Sequence, residues 1–397
     1  MRKDHILVTT FLACLSAGTL SAESPVKIGI LFGFTGPIES MAPQIATSAE
    51  LALNEASASG LFLGGRRIEP VRADSTCIDS AIAVSAAERL ASDDQLSAIV
   101  GAGCSGAAAA VVTSVARPHG IISISPTATS PTLSTLPDDG LFFRTATSDA
   151  RQGEVLARLL MEKDIRSIAV TYTSNDYGAG LSDAFAHAYE QLGGEVLIAV
   201  AHTDGKSDYS AEVATLAASG AELLLIAGYA DQGGRAIVQA SLDTGAFDRF
   251  VLPDGMVAQS LVEEFGPDLA GSIGTFPGGS SSQAERFEAL LQARGIEGQA
   301  PFRAEGYDAA ALLILAMQAA GTSDRGQFAE LILPVANAPG VGIGPGEIAK
   351  GLRILSEGGE INYEGASAVE LNESGDANGS YQEVIFSEDG FEVVNVW

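Results

Sequence analysis

The sequence predicts an α/β protein built from two doubly wound parallel-sheet units. Short β-branched runs alternate with amphipathic segments along the whole chain, which is the pattern of strands covered by helices on both faces. The 397 residues, 46% of them apolar, are enough for two cores of ordinary size. The alternation also restarts after Phe142-Phe-Arg-Thr145, and a late helical stretch after Phe276 is too short to be a domain of its own.

In the first unit a strand over 26–32 runs into a Gly-Pro turn and a helix over 43–57. Strands over 68–72, 96–100 and 121–125 follow, with helices over 80–91 and 107–116 between them. The second unit opens with a helix over 150–163 and continues with strands over 167–172, 195–200, 222–227 and 249–252. Helices over 180–192, 211–218 and 234–242 separate these strands, and the helices over 282–294 and 302–319 return to the first unit. The stretch 366–397 reads as strands and turns, and the Gly/Pro-rich stretch 339–346 as a surface loop. The expected division is a signal segment over 1–22, a first lobe of 23–147 plus 277–365, and a second lobe of 148–276 plus 366–397.

A formal charge of -28, from 22 basic and 50 acidic residues, repels phosphate backbones and anionic lipid, so nucleic acid is excluded as a partner. The N-terminus has the parts of an export signal: Arg2 and Lys3, an apolar run over 6–15, and the small-residue site Leu20-Ser-Ala22. Cys14 offers a rival reading as a lipoprotein anchor, but Phe11-Leu-Ala13 before it fits a lipobox poorly. A periplasmic protein is therefore expected. Cys77 and Cys104 remain beyond the signal, and two cysteines in an exported chain point to a disulfide, worth roughly 3–4 kcal/mol in the chain-entropy model. His5, His119, His187 and His202 are scattered without zinc spacing, and neither a metal nor a cofactor is expected.

Gly101-Ala-Gly103-Cys-Ser-Gly106 follows a strand and opens a helix, as a dinucleotide fingerprint does. It stands after the third strand, however, and the next strand ends in Ser123-Ile-Ser125-Pro126 with no acid to take a ribose hydroxyl. A turn, or an anion-binding helix start with Ser105 as donor, is the better reading. Ser125-Pro-Thr127-Ala128-Thr129-Ser-Pro131 joins a buried strand to a predicted helix with hydroxyl residues at its cap and proline at its first position. These two starts lie at the carboxyl ends of neighbouring strands, where open α/β sheets bind ligands, and together offer donors for a carboxylate. In the second unit Tyr177, Tyr229 and Asp254 also stand just past strands. Asp254 is placed to pair with an ammonium, although an Asp-Gly turn explains it equally well. A G-x-S-x-G elbow, HExxH and a Walker A lysine are all missing, and no histidine is placed to activate Ser105. The acids read mostly as a solvated surface, so a non-enzymatic protein is expected.

These residues resemble the type I periplasmic solute-binding proteins of the leucine/isoleucine/valine-binding group, which serve ABC importers. The resemblance runs from Val26-Lys-Ile-Gly-Ile-Leu-Phe-Gly-Phe-Thr-Gly-Pro37 through Gly64-Gly-Arg-Arg-Ile-Glu-Pro70 and the Cys77/Cys104 pair to Ile124-Ser-Pro-Thr-Ala-Thr129, Asp176-Tyr-Gly-Ala-Gly-Leu181 and Glu305-Gly-Tyr-Asp308. It implies two lobes joined by three hinge crossovers. It also implies that Ser105, Thr127, Ala128 and Thr129 hold a ligand carboxylate and part of its ammonium, and that Tyr229 and Asp254 complete the ammonium site. Tyr177, Phe302 and the region of Met41 match the side-chain pocket. Asp254 stands where the branched-chain binders carry a longer glutamate, and Met41, with Glu39 nearby, where a tyrosine is usual. The implied function is capture of a small, hydrophobic amino acid by hinged cleft closure and its delivery, by a monomer, to the permease subunits of an ABC transporter. Urea, a short amide or an aromatic or other organic acid is the rival ligand class, and a ligand-sensing domain of a receptor or regulator the rival role.

Overall fold

A computed structural model describes residues 24–397 of the chain; the expected signal segment over 1–22 and Cys14 lie outside the described residues. The first lobe is built on β1 (Val26–Phe32), β2 (Ile68–Asp74), β3 (Leu96–Gly101), β4 (Ile122–Ser125) and β5 (Phe142–Thr147). The second is built on β6 (Ser167–Thr173), β7 (Glu195–His202), β8 (Leu224–Ala227), β9 (Phe250–Leu252) and β10 (Ile273–Pro277). The later strands are β11 (Val341–Ile343), β12 (Ile361–Tyr363), β13 (Glu370–Leu371), β14 (Asp376–Asn378), β15 (Tyr381–Phe386) and β16 (Phe391–Val396). The strand order is β13-β14-β5-β4-β3-β1-β2 in one sheet and β16-β15-β10-β9-β8-β6-β7 in the other. The five earliest strands of each sheet are parallel, and antiparallel pairs occur only among the late strands and where β15 joins β10. Each sheet thus reverses its winding beside its first strand, which opens a crevice at the carboxyl ends there.

The central strands are apolar because both faces are covered: β3, β4 and β5 are buried from end to end. The helix Arg303–Ala320 packs along Ala42–Ser59 and across β3, β4 and β5, so the late segment lies in the first lobe. Three crossovers join the lobes, after β5, after β10 and after β14. They are stitched together: Tyr381 Oη donates to Thr147 O (3.1 Å), and Gly278 N donates to Ser380 O (3.0 Å).

Three expectations need correction. The third crossover falls near 379–380 and not at 366, because β13 and β14 pair into the first sheet beside β5. Asp376 is drawn there by a buried ion pair with Arg144 (2.6 Å), and strands of two and three residues show no readable period. The stretch 339–346 is not all loop, since β11 pairs with β12. No α-helix follows Ser125-Pro126: the chain makes only a single 3₁₀ stretch, Pro131–Thr135, and Ser130 does not cap it with its side chain.

The lobes touch at the N-terminal turns of the helix Asp176–Gln191, which lies against the helix Ser105–Val111 and the 131–135 turn. A Cβ on Gly180 would stand 2.9 Å from Ser130 Oγ and 3.0 Å from Pro131 Cδ. A glycine inside a helix costs up to about 1 kcal/mol, so here it serves the approach of the lobes. Gly180→Leu is expected to leave the urea midpoint unchanged or higher while increasing the radius of gyration measured by solution scattering. Cys77 and Cys104 are disulfide-bonded, with Cα atoms 5.7 Å apart and a sequence separation of 27. Replacing both by serine is expected to lower unfolding stability by roughly 3–4 kcal/mol in urea titrations.

Candidate functional site

The crevices of the two lobes face each other across one small cavity lined from both sides. Almost every wall residue sits just past the carboxyl end of a parallel strand. The first lobe supplies Ile38, Met41 and Ile45 after β1, Gly103 to Ser105 after β3, and Thr127 and Thr129 after β4. The second supplies Tyr177 after β6, Tyr229 after β8, and Asp254 and Gly255 after β9. Phe302 closes one side from the start of the helix Arg303–Ala320. Its backbone is left-handed (φ 67°), a conformation that costs a bulky residue roughly 1–2 kcal/mol. The ring it delivers to the cavity is the compensating feature.

Of the residues singled out from sequence, Met41, Ser105, Thr127, Thr129, Tyr177, Tyr229, Asp254 and Phe302 meet at this cavity. Ala128 does not reach it. Its N–H donates to Ser125 Oγ (3.1 Å) and its carbonyl accepts from Arg144 Nη1 (3.3 Å). Thr127 spends its hydroxyl proton on Gly103 O (2.6 Å). Ser105 Oγ accepts from Ser130 N (3.1 Å), which leaves its own proton to donate. Thr129 Oγ1 is buried without a hydrogen-bond partner. The donors facing the cavity from the first lobe are therefore the hydroxyls of Ser105, at the start of a helix that runs through a π turn to His119, and of Thr129, in the loop after β4. Cys104 precedes that helix, so the disulfide ties its start to the loop after β2.

The second lobe presents the opposite character. Tyr177 Oη donates to Asp254 Oδ1 (2.6 Å), and Gly255 N donates to the same oxygen (2.8 Å). The Tyr177 and Tyr229 rings lie side by side with centroids 5.1 Å apart. A side chain at 255 would collide with Gly228 O at 2.5 Å and Tyr177 Oη at 2.9 Å, so glycine is required for this close packing. Burial pushes the Asp254 carboxyl up to about 6, against the opposing pull of Tyr177, the Gly255 amide and Gln152.

Sequence reasoning missed Asp149. It is fully buried, and neither of its oxygens has a hydrogen-bond partner. Burial, then the neighbouring Asp254 charge, raises its pKa far above the ordinary carboxylate range. Thr129 stands near enough to oppose that rise, although no hydrogen bond of normal geometry joins their side chains; the Asp149 amide instead donates to Thr129 O (2.8 Å). Locally Asp149 reads as an acid in the first turn of a helix capped by Ser148. The one available signal was that a position directly after a buried strand is rarely free for a solvated acid. Two neighbouring buried carboxyls are costly even with the Arg144 charge acting on Asp149, so the Asp254 end of the cavity favours a positive group. The far end, with Ile38, Met41, Ile45 and Phe302, is apolar. Among the described residues no group of His, Cys, Asp and Glu is arranged to hold a metal, and no helix is long and apolar enough to cross a membrane.

Comparison with known proteins gives the same architecture a family. A family model described as periplasmic binding protein matches residues 25–341. The Leu/Ile/Val-binding protein homolog 1 of Brucella melitensis biotype 1 is 30% identical over 337 residues, 83% of this chain and 88% of that protein. The leucine-binding protein LivK of Thermotoga maritima superposes with a TM-score of 0.78 at 24% identity, covering 94% of this chain and 98% of that one. LivJ of Streptococcus pneumoniae, solved with isoleucine, superposes with a TM-score of 0.77 at 22% identity, covering 94% and 99%. With its two facing crevices, its buried interlobe cavity and this match over most of its length, the chain belongs to the periplasmic binding protein family.

Proposed function

We propose that the cavity binds a hydrophobic α-amino acid and that the protein, as a non-enzymatic monomer in the periplasm, delivers it to the permease subunits of an ABC importer. The observation that carries this reading is the polarity of one small cavity: hydroxyl donors on the first lobe, the buried Asp254 across from them with Asp149 near it, and an apolar end. A zwitterion matches the first two, since a carboxylate takes the Ser105 and Thr129 donors while an ammonium neutralises Asp254 and Asp149. The relatives named for leucine, isoleucine and valine support an aliphatic side chain at the Ile38, Met41, Ile45 and Phe302 end. Hinged closure follows from the placement of the donors and the acids on different lobes: ligand docks on the first lobe, and the second adds Tyr177, Tyr229 and Asp254.

Calorimetry on protein refolded from urea, to strip copurified ligand, tests this with the twenty amino acids and a set of small acids and amides. Micromolar or tighter binding of an aliphatic amino acid is expected; binding only of ligands without an ammonium would overturn the role of Asp254. Asp254→Ala is expected to weaken amino acid binding at least tenfold, or about 1.4 kcal/mol.

The pH dependence has a definite sign. The ammonium pairs with ionised Asp254, whose pKa in the free folded protein is about 6. Affinity is therefore complete above about pH 6 and falls as the pH drops through it. Stability of the ligand-free protein moves oppositely. The folded state keeps the Asp254 proton up to about pH 6 while the unfolded chain releases it near pH 4, so unfolding stability declines between those values as pH rises. Asp254→Asn is expected to flatten that decline in urea titrations and to raise stability at pH 7, while losing amino acid binding.

A further inference from the structure

We propose that Ser40 and Asp231 form a latch between the lobes that slows ligand escape; this rests on the reading of the cavity as a ligand site closed by a hinge. Ser40 lies in the first lobe, between β1 and the helix Ala42–Ser59, and Asp231 in the second, between β8 and the helix Gly233–Thr244. One carboxylate oxygen, Asp231 Oδ2, accepts from both Ser40 N (2.9 Å) and Ser40 Oγ (2.7 Å). The other oxygen accepts from Ser260 Oγ (3.4 Å) within the second lobe, which aims the carboxylate across the cleft.

Neither latch residue lines the cavity, but their neighbours do. Ile38 and Met41 flank Ser40, and Tyr229 precedes Asp231 by two positions. The bond therefore fastens the two loops that cover the ligand without touching it. Charge-assisted bonds to an acid are among the stronger ones, although both residues are only half-buried and water competes for them. When the lobes part, Ser40 and Asp231 are both left to water, so the bond stabilises closed forms alone. Ligand entering an open cleft does not sense it, whereas ligand leaving must break it. Its loss should appear in dissociation and not in association.

The test uses L-leucine as probe in stopped-flow fluorescence with the full mature chain. Asp231→Ala is expected to release L-leucine about tenfold faster, with association within twofold and the urea midpoint unchanged. Ser40→Ala keeps the amide donor and is expected to release it about threefold faster, with no further effect in the Asp231→Ala background. Release by Asp231→Ala within twofold of the parent, or full additivity of the two substitutions, overturns the latch. Amide hydrogen exchange supplies a reading that needs no ligand: the Ser40 amide should exchange at least fivefold faster in ligand-free Asp231→Ala, with the cores of both lobes unchanged. An unchanged Ser40 rate overturns the latch whether or not L-leucine binds. A parent that fails to bind L-leucine while Ser40 exchange accelerates counts against the ligand reading alone.

Discussion

Arg144 is fully buried on β5, and its guanidinium is satisfied in every direction. Nε donates to Asp376 (2.6 Å), Nη1 to Ser130 O (2.9 Å) and Ala128 O (3.3 Å), and Nη2 to Ser134 Oγ (2.7 Å). Its partners lie on two separate stretches. One is the 128–134 loop that brings Thr129 to the cavity, and the other is β14, the last strand before the third crossover. Removing one partner of such a buried pair typically costs 3–5 kcal/mol, because the remaining charge stays buried alone. The donor wall of the cavity and one hinge segment therefore share a single anchor. The irregular loop after β4 needs it, since one 3₁₀ stretch and a few hydrogen bonds to Gly103, Ser105, Ser125 and Asp149 take the place of a regular element there.

The same principle, applied without compensation, describes the acid end. Asp376 has its cation in direct contact, whereas Asp149 feels the Arg144 charge without a hydrogen bond to it and Asp254 has only a few hydrogen-bond donors. A protein that buries two neighbouring carboxyls, one of them in the cavity wall, gives up stability there, and raised pKa values are the form that loss takes. An ammonium supplied by a ligand removes both the repulsion and the need for a bound proton. The energy then released is available to draw the second lobe onto the first, so strain at the site and closure of the hinge belong to one free-energy cycle.

Much of this was readable from sequence where the signal is local. β1 and the helix Ser80–Ala91 fall on the expected bounds, because each is a clean apolar run or period between turn residues. The site strands were legible for the same reason, and a residue just past a strand is a candidate whatever the ligand. What stayed hidden depends on partners distant in sequence. β5 carries the charged Arg144 inside a buried run and reads as a boundary until Asp376, 232 positions away, is seen beside it. Ala128 looked available because nothing nearby announces that Ser125 takes its amide. Ser40 and Asp231 are 191 positions apart and each looks like an ordinary polar residue of a loop.

Closure is governed as much by what is missing as by what bonds. Gly180 lets the second lobe approach Ser130 and Pro131, and Gly106 lets it approach Asp176, whose Oδ2 would stand 3.2 Å from a Cβ there. These contacts lie at helix starts that also frame the cavity, so side chains there would hold the walls apart and let water reach the acids. Water at Asp254 and Asp149 would screen their charges and weaken their demand for an ammonium. Close glycine packing at one edge of the cleft and the Ser40–Asp231 bond at another thus serve the same end. They keep the acid pair dry, and only a dry acid pair discriminates strongly for a positively charged group.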